Sequence, residues 1–172
     1  ELDCLIFATG FEVGTSYARR AGYEIEGKDG VTLTQKWAEG ISTLHGLHSR
    51  GFPNCFIMSN AQSGFTVNFP HMINEQAKHI AYILKTCEDR GVTVVEASKD
   101  AEDAWVQEII SSALQRAKFA EECTPGYYNS EQGRDSKTAR NLVYTGSLLE
   151  YSEYLERWRD QGDMAGALIS DE

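Results

Sequence analysis

Two apolar runs in the first third of the chain constrain what it can fold into more than any other feature. Residues 2–8 (LDCLIFA) and 55–59 (CFIMS) carry large apolar side chains without a polar face. That pattern suits strands buried on both sides of an α/β sheet. Two strands alone do not make a stable sheet. Both runs therefore require flanking strands and covering helices that the remaining sequence does not supply. The first residue is Glu1 rather than Met, and the first run begins at once. The chain is accordingly expected to be a portion of a longer polypeptide.

Beyond these runs the chain divides by its periodicity. Residues 31–35 have the composition of a short strand, and residues 51–54 (GFPN) form a turn signal. A helix is expected to start at Asn68 or Pro70 and to run to about Asp89. Met72, Ile73, Gln76, Ile80, Ile83 and Leu84 form its apolar face, and Gly91 ends it. A second helix is expected over residues 101–121, facing inward with Ala104, Trp105, Ile109, Leu114 and Phe119. A third is expected over residues 148–161, with Leu149, Tyr154, Leu155 and Trp158 inside. Val143 and Tyr144 suit an extended segment, and the residues after Gly162 read as a tail. The irregular stretch 124–138 is long for a bare loop and points to function.

A net charge of −10 excludes a nucleic-acid partner of the usual basic kind and disfavours anionic membrane surfaces. The four cysteines, Cys4, Cys55, Cys87 and Cys123, form no CxxC pair. They read as buried free thiols of a cytoplasmic protein. His45, His48, His71 and His79 lack the cysteine or carboxylate neighbours of a metal site, so no metal is expected. P-loop, G-x-S-x-G and H-E-x-x-H signatures do not occur.

Several motifs then fall in one order. Ala8-Thr9-Gly10-Phe11 ends the first run. It is followed by Trp37-Ala38-Glu39-Gly40, Thr43-Leu44-His45-Gly46, Gly51-Phe52-Pro53-Asn54-Cys55-Phe56 and the pair Glu75-Gln76. Near the end stands Tyr151-x-x-Tyr154-Leu155-x-x-Trp158-x-x-x-Gly162. This series resembles the C-terminal part of Baeyer–Villiger monooxygenases, the class B flavoprotein monooxygenases, over essentially the whole chain. The resemblance implies an α/β fold: the C-terminal portion of a Rossmann-like FAD-binding domain over residues 1–90, then a helical C-terminal region over residues 91–172. Within the latter, a loop over about 124–141 covers the nucleotide.

The same resemblance implies FAD and NADPH as cofactors, and a ketone and dioxygen as substrates converted to an ester or lactone. The protein's share of such chemistry is positioning, electrostatics and water exclusion. The implied cofactor-contacting residues are Gln62, Val67, Asn68, Phe69 and Tyr127. Phe65, Thr66 and Pro70 stand where the family lines its ketone pocket. Tyr127 occupies a position where many members carry Trp, which leaves that nucleotide contact open. Arg134, Lys137 and Arg140 are either phosphate contacts or a solvated loop face. Gly10 and Trp37 read as structural, and Glu75 as a helix-start or buried hydrogen-bonding residue.

Neither G-x-G-x-x-G phosphate loop of the family is present, and its catalytic arginine is expected upstream of Glu1. The chain alone is therefore expected to be inactive and to self-associate through uncovered apolar surface. A flavin N- or S-monooxygenase, and a non-catalytic structural or interaction domain, remain the alternative readings.

Overall fold

The computed structural model describes residues 4–6, 17–113, 139–144 and 146–171. The elements are α1 (Tyr17–Ala21), a 3-10 turn (Lys28–Gly30), α2 (Leu33–Lys36), α3 (Phe69–Arg90), β1 (Val94–Ala97), α4 (Lys99–Ala113), α5 (Leu148–Gln161) and β2 (Ala167–Ser170). β1 and β2 pair antiparallel, with Val94 opposite Ser170 and Ala97 opposite Ala167.

The mixed helix and strand content agrees with an α/β reading, but the strands are not those expected. Residues 55–59 form no strand. Phe56 makes one isolated bridge with His48, and the Ile57 amide donates to the Leu47 carbonyl at 2.7 Å. With no neighbouring strand among the described residues, the segment clips onto the turn at residues 44–48 instead. In the 31–35 run, Thr32 bridges Glu26 and then caps α2, exchanging hydrogen bonds with Gln35. The reciprocal Thr–Gln capping box outweighs β propensity there. Of residues 2–8, Cys4, Leu5 and Ile6 are described; they are exposed and irregular. The supposed tail after Gly162 is β2, which supplies the sheet with its second strand. Its partner β1 follows Gly91 in a β-branched run (VTVV), whose composition favours a strand.

The helix ends follow local chemistry. The Asn68 side chain caps α3 and Pro70 sits in its first turn. Gly91 closes it in the left-handed conformation, φ 69°, which favours glycine. Ser147 and Glu150 form a capping box on α5. The buried faces agree with the periodic reading in part, at Met72, Gln76 and Ile83 of α3, Trp105 and Ile109 of α4, and Leu155 and Trp158 of α5. α3 turns Met72, Glu75, Gln76, His79, Ile83 and Cys87 inward, while Ile73 and Leu84 are exposed. On α5 the innermost residues are Tyr151, Leu155 and Trp158, with Leu149 outside and Tyr154 partly buried. On α4, Glu102, Trp105, Val106 and Ile109 are buried and Ala104 is exposed. Leu114, Phe119 and Cys123 lie outside the described residues. Of the other cysteines, all free, Cys87 is buried, Cys55 partly so and Cys4 exposed, so burial of all the thiols was the wrong expectation.

Among the described residues the core forms two apolar clusters. One joins Ile83, Cys87, Val95, Trp158 and Met164, and the other joins Trp105, Ile109, Tyr151 and Leu155. The imidazole of His45 sits between them, with ring centroids 5.2 Å from Trp105, 5.3 Å from Tyr154 and 5.5 Å from Trp158. Two buried carboxylates tie the early loops to the later elements across residue 90. Glu96 accepts from the Gly51 amide at 2.7 Å and pairs with Lys28 and Arg50. Glu102 accepts from the Arg50 amide at 2.7 Å and pairs with Lys36 at 2.7 Å. Charges this deeply buried persist only when paired and hydrogen-bonded.

Candidate functional site

The loop that leads into α3 has a locked floor and an open tip. The floor is Gln62, Ser63 and Gly64, all buried. Gln62 takes a left-handed backbone, φ 55°, unusual for a residue with a side chain. Its amide nitrogen donates to the carbonyls of Ile41 (2.7 Å) and Arg140 (2.8 Å). Its amide oxygen accepts from the Thr43 hydroxyl. Its backbone donates to Leu142 at 2.9 Å and accepts from the Trp105 indole at 3.0 Å. Such complete internal pairing offsets the strain at one residue and aims the next few outward.

The neighbours complete the lock. Gln76 of α3 donates to the Ser59 carbonyl at 2.6 Å and to the Ser63 hydroxyl at 2.9 Å. Gly64 lies flat against Tyr151, where a Cβ would come within 2.7 Å of the ring. Gly46 is pressed against the Gln62 carbonyl in the same way, with φ 74°. The Tyr151 hydroxyl donates to the His45 carbonyl at 2.7 Å, and burial raises its pKa. Glu75, in accord with its expected hydrogen-bonding role, is buried and pairs with Lys78 at 2.6 Å. Trp37 donates its indole N–H to the Ser42 carbonyl at 3.1 Å, a packing role as expected.

Above this floor the chain loosens. Phe65 and Thr66 are half-buried, whereas Val67, Asn68, Phe69 and Pro70 are exposed, Val67 to 90%. Phe65 and Phe69 meet edge to face at 5.9 Å. The Asn68 amide reaches the Thr66 hydroxyl at 3.3 Å, and the Asn68 side chain accepts from the His71 amide at 3.4 Å. No described residue accepts from the amides of Val67 or Phe69. The first turn of this 22-residue helix holds no acidic side chain. The tip therefore combines open N–H donors, an uncompensated positive helix end and a small aromatic wall. That combination suits a planar ligand with an electron-rich or anionic edge.

Seven of the eight anticipated site residues thus fall on one loop and helix start. Six are at the tip, and Gln62 is fully enclosed beneath it. Tyr127, Arg134 and Lys137 lie outside the described residues, and Arg140 enters through its carbonyl.

Sequence spacing missed the meeting of His45 and His79. They stand thirty-four positions apart, yet His45 Nδ1 lies 3.3 Å from His79 Nε2. Burial holds the His45 pKa well below 6.5, and the His79 ring adds to this. Burial and then the Arg159 charge lower His79 to about 3. Burial lowers His48 to about 4, against hydrogen bonding to the Phe52 backbone and the charges of Glu96 and Glu102. All three are neutral near pH 7. Among the described residues no group of three or more His, Cys, Asp or Glu side chains is placed to hold a metal ion. No described helix is long and apolar enough to cross a membrane.

No family model matches the chain. Individual proteins do. The chain is 50% identical over 167 residues to pentalenolactone D synthase of Streptomyces exfoliatus, covering 96% of this chain and 29% of that protein. It is 42% identical over 162 residues to a Baeyer–Villiger monooxygenase of Streptomyces coelicolor, covering 93% and 26%. Its fold matches the polycyclic ketone monooxygenase of Thermothelomyces thermophila with a TM-score of 0.83 at 37% identity, over 91% of this chain and 26% of that one. It also matches OTEMO in complex with FAD and NADP, TM-score 0.71 at 27% identity, over 88% and 27%. The chain spans between 26% and 29% of the length of these relatives.

Proposed function

The chain belongs to the Baeyer–Villiger monooxygenases, as a C-terminal portion of such an enzyme, and on that premise we propose that it forms one wall of a flavin site. In the full-length enzyme it serves the insertion of one oxygen atom from O2 into a ketone, giving an ester or lactone at the expense of NADPH. The observation that carries this reading is the open, donor-bearing start of α3 beside a half-buried Phe65 and Thr66.

Bound FAD, reduced by NADPH, supplies the activation of dioxygen. The residues present fit such a group: the free amides of Val67 and Phe69 and the positive helix end suit the edge of the ring that becomes negative on reduction. Asn68 orients the turn by capping it. Gln62 acts from below, holding the loop at one height. Phe65, Thr66 and Pro70 line the ketone side, where an apolar and aromatic wall suits a neutral substrate and keeps water out. Tyr127, outside the described residues, is assigned to the nucleotide by the resemblance to the family alone. The division at residue 90, into a FAD-domain portion and a C-terminal region, belongs to this reading, although that region holds the paired strands β1 and β2 as well as α4 and α5. Relatives named for ketone oxidation support insertion beside a carbonyl over N- or S-oxygenation.

Separated from the segments that carry both phosphate loops, this chain does not retain FAD and is inactive. Its exposed Val67, Ile73, Leu84 and Leu149 favour self-association. The deciding experiment incubates the full-length protein with NADPH, O2 and a panel of cyclic, linear and aromatic ketones. Ester or lactone formation is expected. NADPH consumption that yields only sulfoxide or N-hydroxyl products from sulfide and amine controls would overturn the proposal.

A further inference from the structure

Beneath the functional loop, His45, His48 and His79 line one small cavity of about 10 Å³. Its other walls are apolar, Leu47, Ile83, Val95 and Trp158 among them. Two ring nitrogens of these lining residues, His48 Nε2 and His79 Nδ1, are buried without a hydrogen-bond partner. Both residues are more than nine-tenths enclosed, at 4% and 1% exposure. Their second nitrogens are engaged. His79 Nε2 meets His45 Nδ1 at 3.3 Å, and the His48 ring bonds to the Phe52 backbone.

A buried imidazole nitrogen without a partner is unfavourable, because its lone pair or N–H has been stripped of solvent with nothing in return. A wholly apolar space of this size would stay dry, whereas one lined by the residues that carry two such nitrogens can offer a water molecule the minimum of two polar partners and about the volume it needs. We infer that this cavity is a binding site for a single water molecule bridging His48 Nε2 and His79 Nδ1. The chemistry of the donors favours water over an ion. The cavity presents no charge to neutralise one, and burial keeps all three imidazoles neutral near pH 7.

The water is compatible with the tautomers the ring contacts allow. With its N–H on the Phe52 backbone, His48 presents a lone pair at Nε2, to which the water donates. At His79 Nδ1 the water donates or accepts, according to which of His45 and His79 gives the proton they share. Either way, His48, water, His79 and His45 form one neutral chain under the floor of the loop. That chain ends at His45, whose carbonyl takes the Tyr151 hydroxyl. This site goes beyond the flavin assignment and does not rest on it.

The test is a high-resolution crystal structure of the full-length protein together with oxygen-17 relaxation dispersion, which counts long-lived internal waters. One ordered peak within hydrogen-bond reach of both nitrogens is expected, and His48→Phe should remove one long-lived water from the count. A clear map with no peak there, or a peak touching only one of the two nitrogens, overturns the inference. Should His48→Phe fail to fold, the wild-type map decides alone.

Discussion

The floor of the loop at Gln62–Gly64 and its tip at Val67–Phe69 lie within a few residues of each other, yet they treat polar groups in opposite ways. At the floor every donor and acceptor of Gln62 is taken, by Ile41, Thr43, Trp105, Arg140 and Leu142. At the tip the amides of Val67 and Phe69 have no described acceptor, on a helix end that carries no acidic compensation. The contrast teaches where this chain spends its order. If the loop is the wall proposed for a bound ring, it must stand at a fixed height, which fits an over-determined support beneath an incompletely paired tip.

The largest effect is expected where the support is densest. Tyr151→Ala removes a fully buried ring that stacks on Gly64 and braces the His45 carbonyl. It should lower stability by about 3–5 kcal/mol, the range for deleting a large buried aromatic side chain. Urea denaturation of the full-length protein measures it. A loss below about 1 kcal/mol would mean that the floor is not the rigid element described here.

Acid should act on the same support next. His45, His48 and His79 have folded pKa values depressed below 6.5. The unfolded chain therefore binds protons first as pH falls. The stability these groups contribute is present in full above about 6.5 and declines as pH falls toward their folded values, near 4 for His48 and near 3 for His79. Each group adds a slope of about 1.4 kcal/mol per pH unit while only its unfolded form titrates. The window from pH 6.5 to about 5 isolates the histidines, because carboxylates with ordinary pKa values titrate lower. Denaturation midpoints that stay flat across that window would show that the cluster is not buried and neutral.

The smallest stability effect belongs to the tip. Val67→Asp changes a side chain that is 90% exposed. It should move stability by no more than about 0.5 kcal/mol, as substitutions away from packed features do. In the full-length enzyme the same change places a negative charge where the reduced ring is proposed to carry one. Flavin reduction should become harder, read as a lower midpoint potential by dye equilibration. An unchanged potential would leave the helix end without the electrostatic role assigned to it.

Local chemistry made part of this molecule readable. Asn68, Pro70 and Gly91 mark the ends of α3 because capping is settled within a few residues. The motif series running from residue 8 to Gly162 carried the family, and the loop at residues 62–70 was identified as the candidate site. Other features were out of reach because they depend on what lies opposite. Residues 55–59 looked like a buried strand, but a strand needs a neighbour to pair with, and here the turn at residues 44–48 takes its place. The inward face of α3 was legible in part: Met72, Gln76 and Ile83 are buried as expected, whereas Glu75 and His79 were missed because the buried side is partly polar. Glu75, Gln76 and His79 are admitted there by Lys78, Ser63 and His45.

The sequence by itself determined the limits of α3 and α5, the family and the stretch of chain proposed to bear the site, all of which rest on short-range order or on motifs in fixed succession. Only the tertiary structure decided that β1 and β2 pair, that Gln62 is a support within the loop, and that His45 and His79 meet. Those outcomes depend on contacts between segments far apart in the chain. Burial and hydrogen-bond satisfaction are set by the partner a residue finds, and no residue carries its partner's position in its own type.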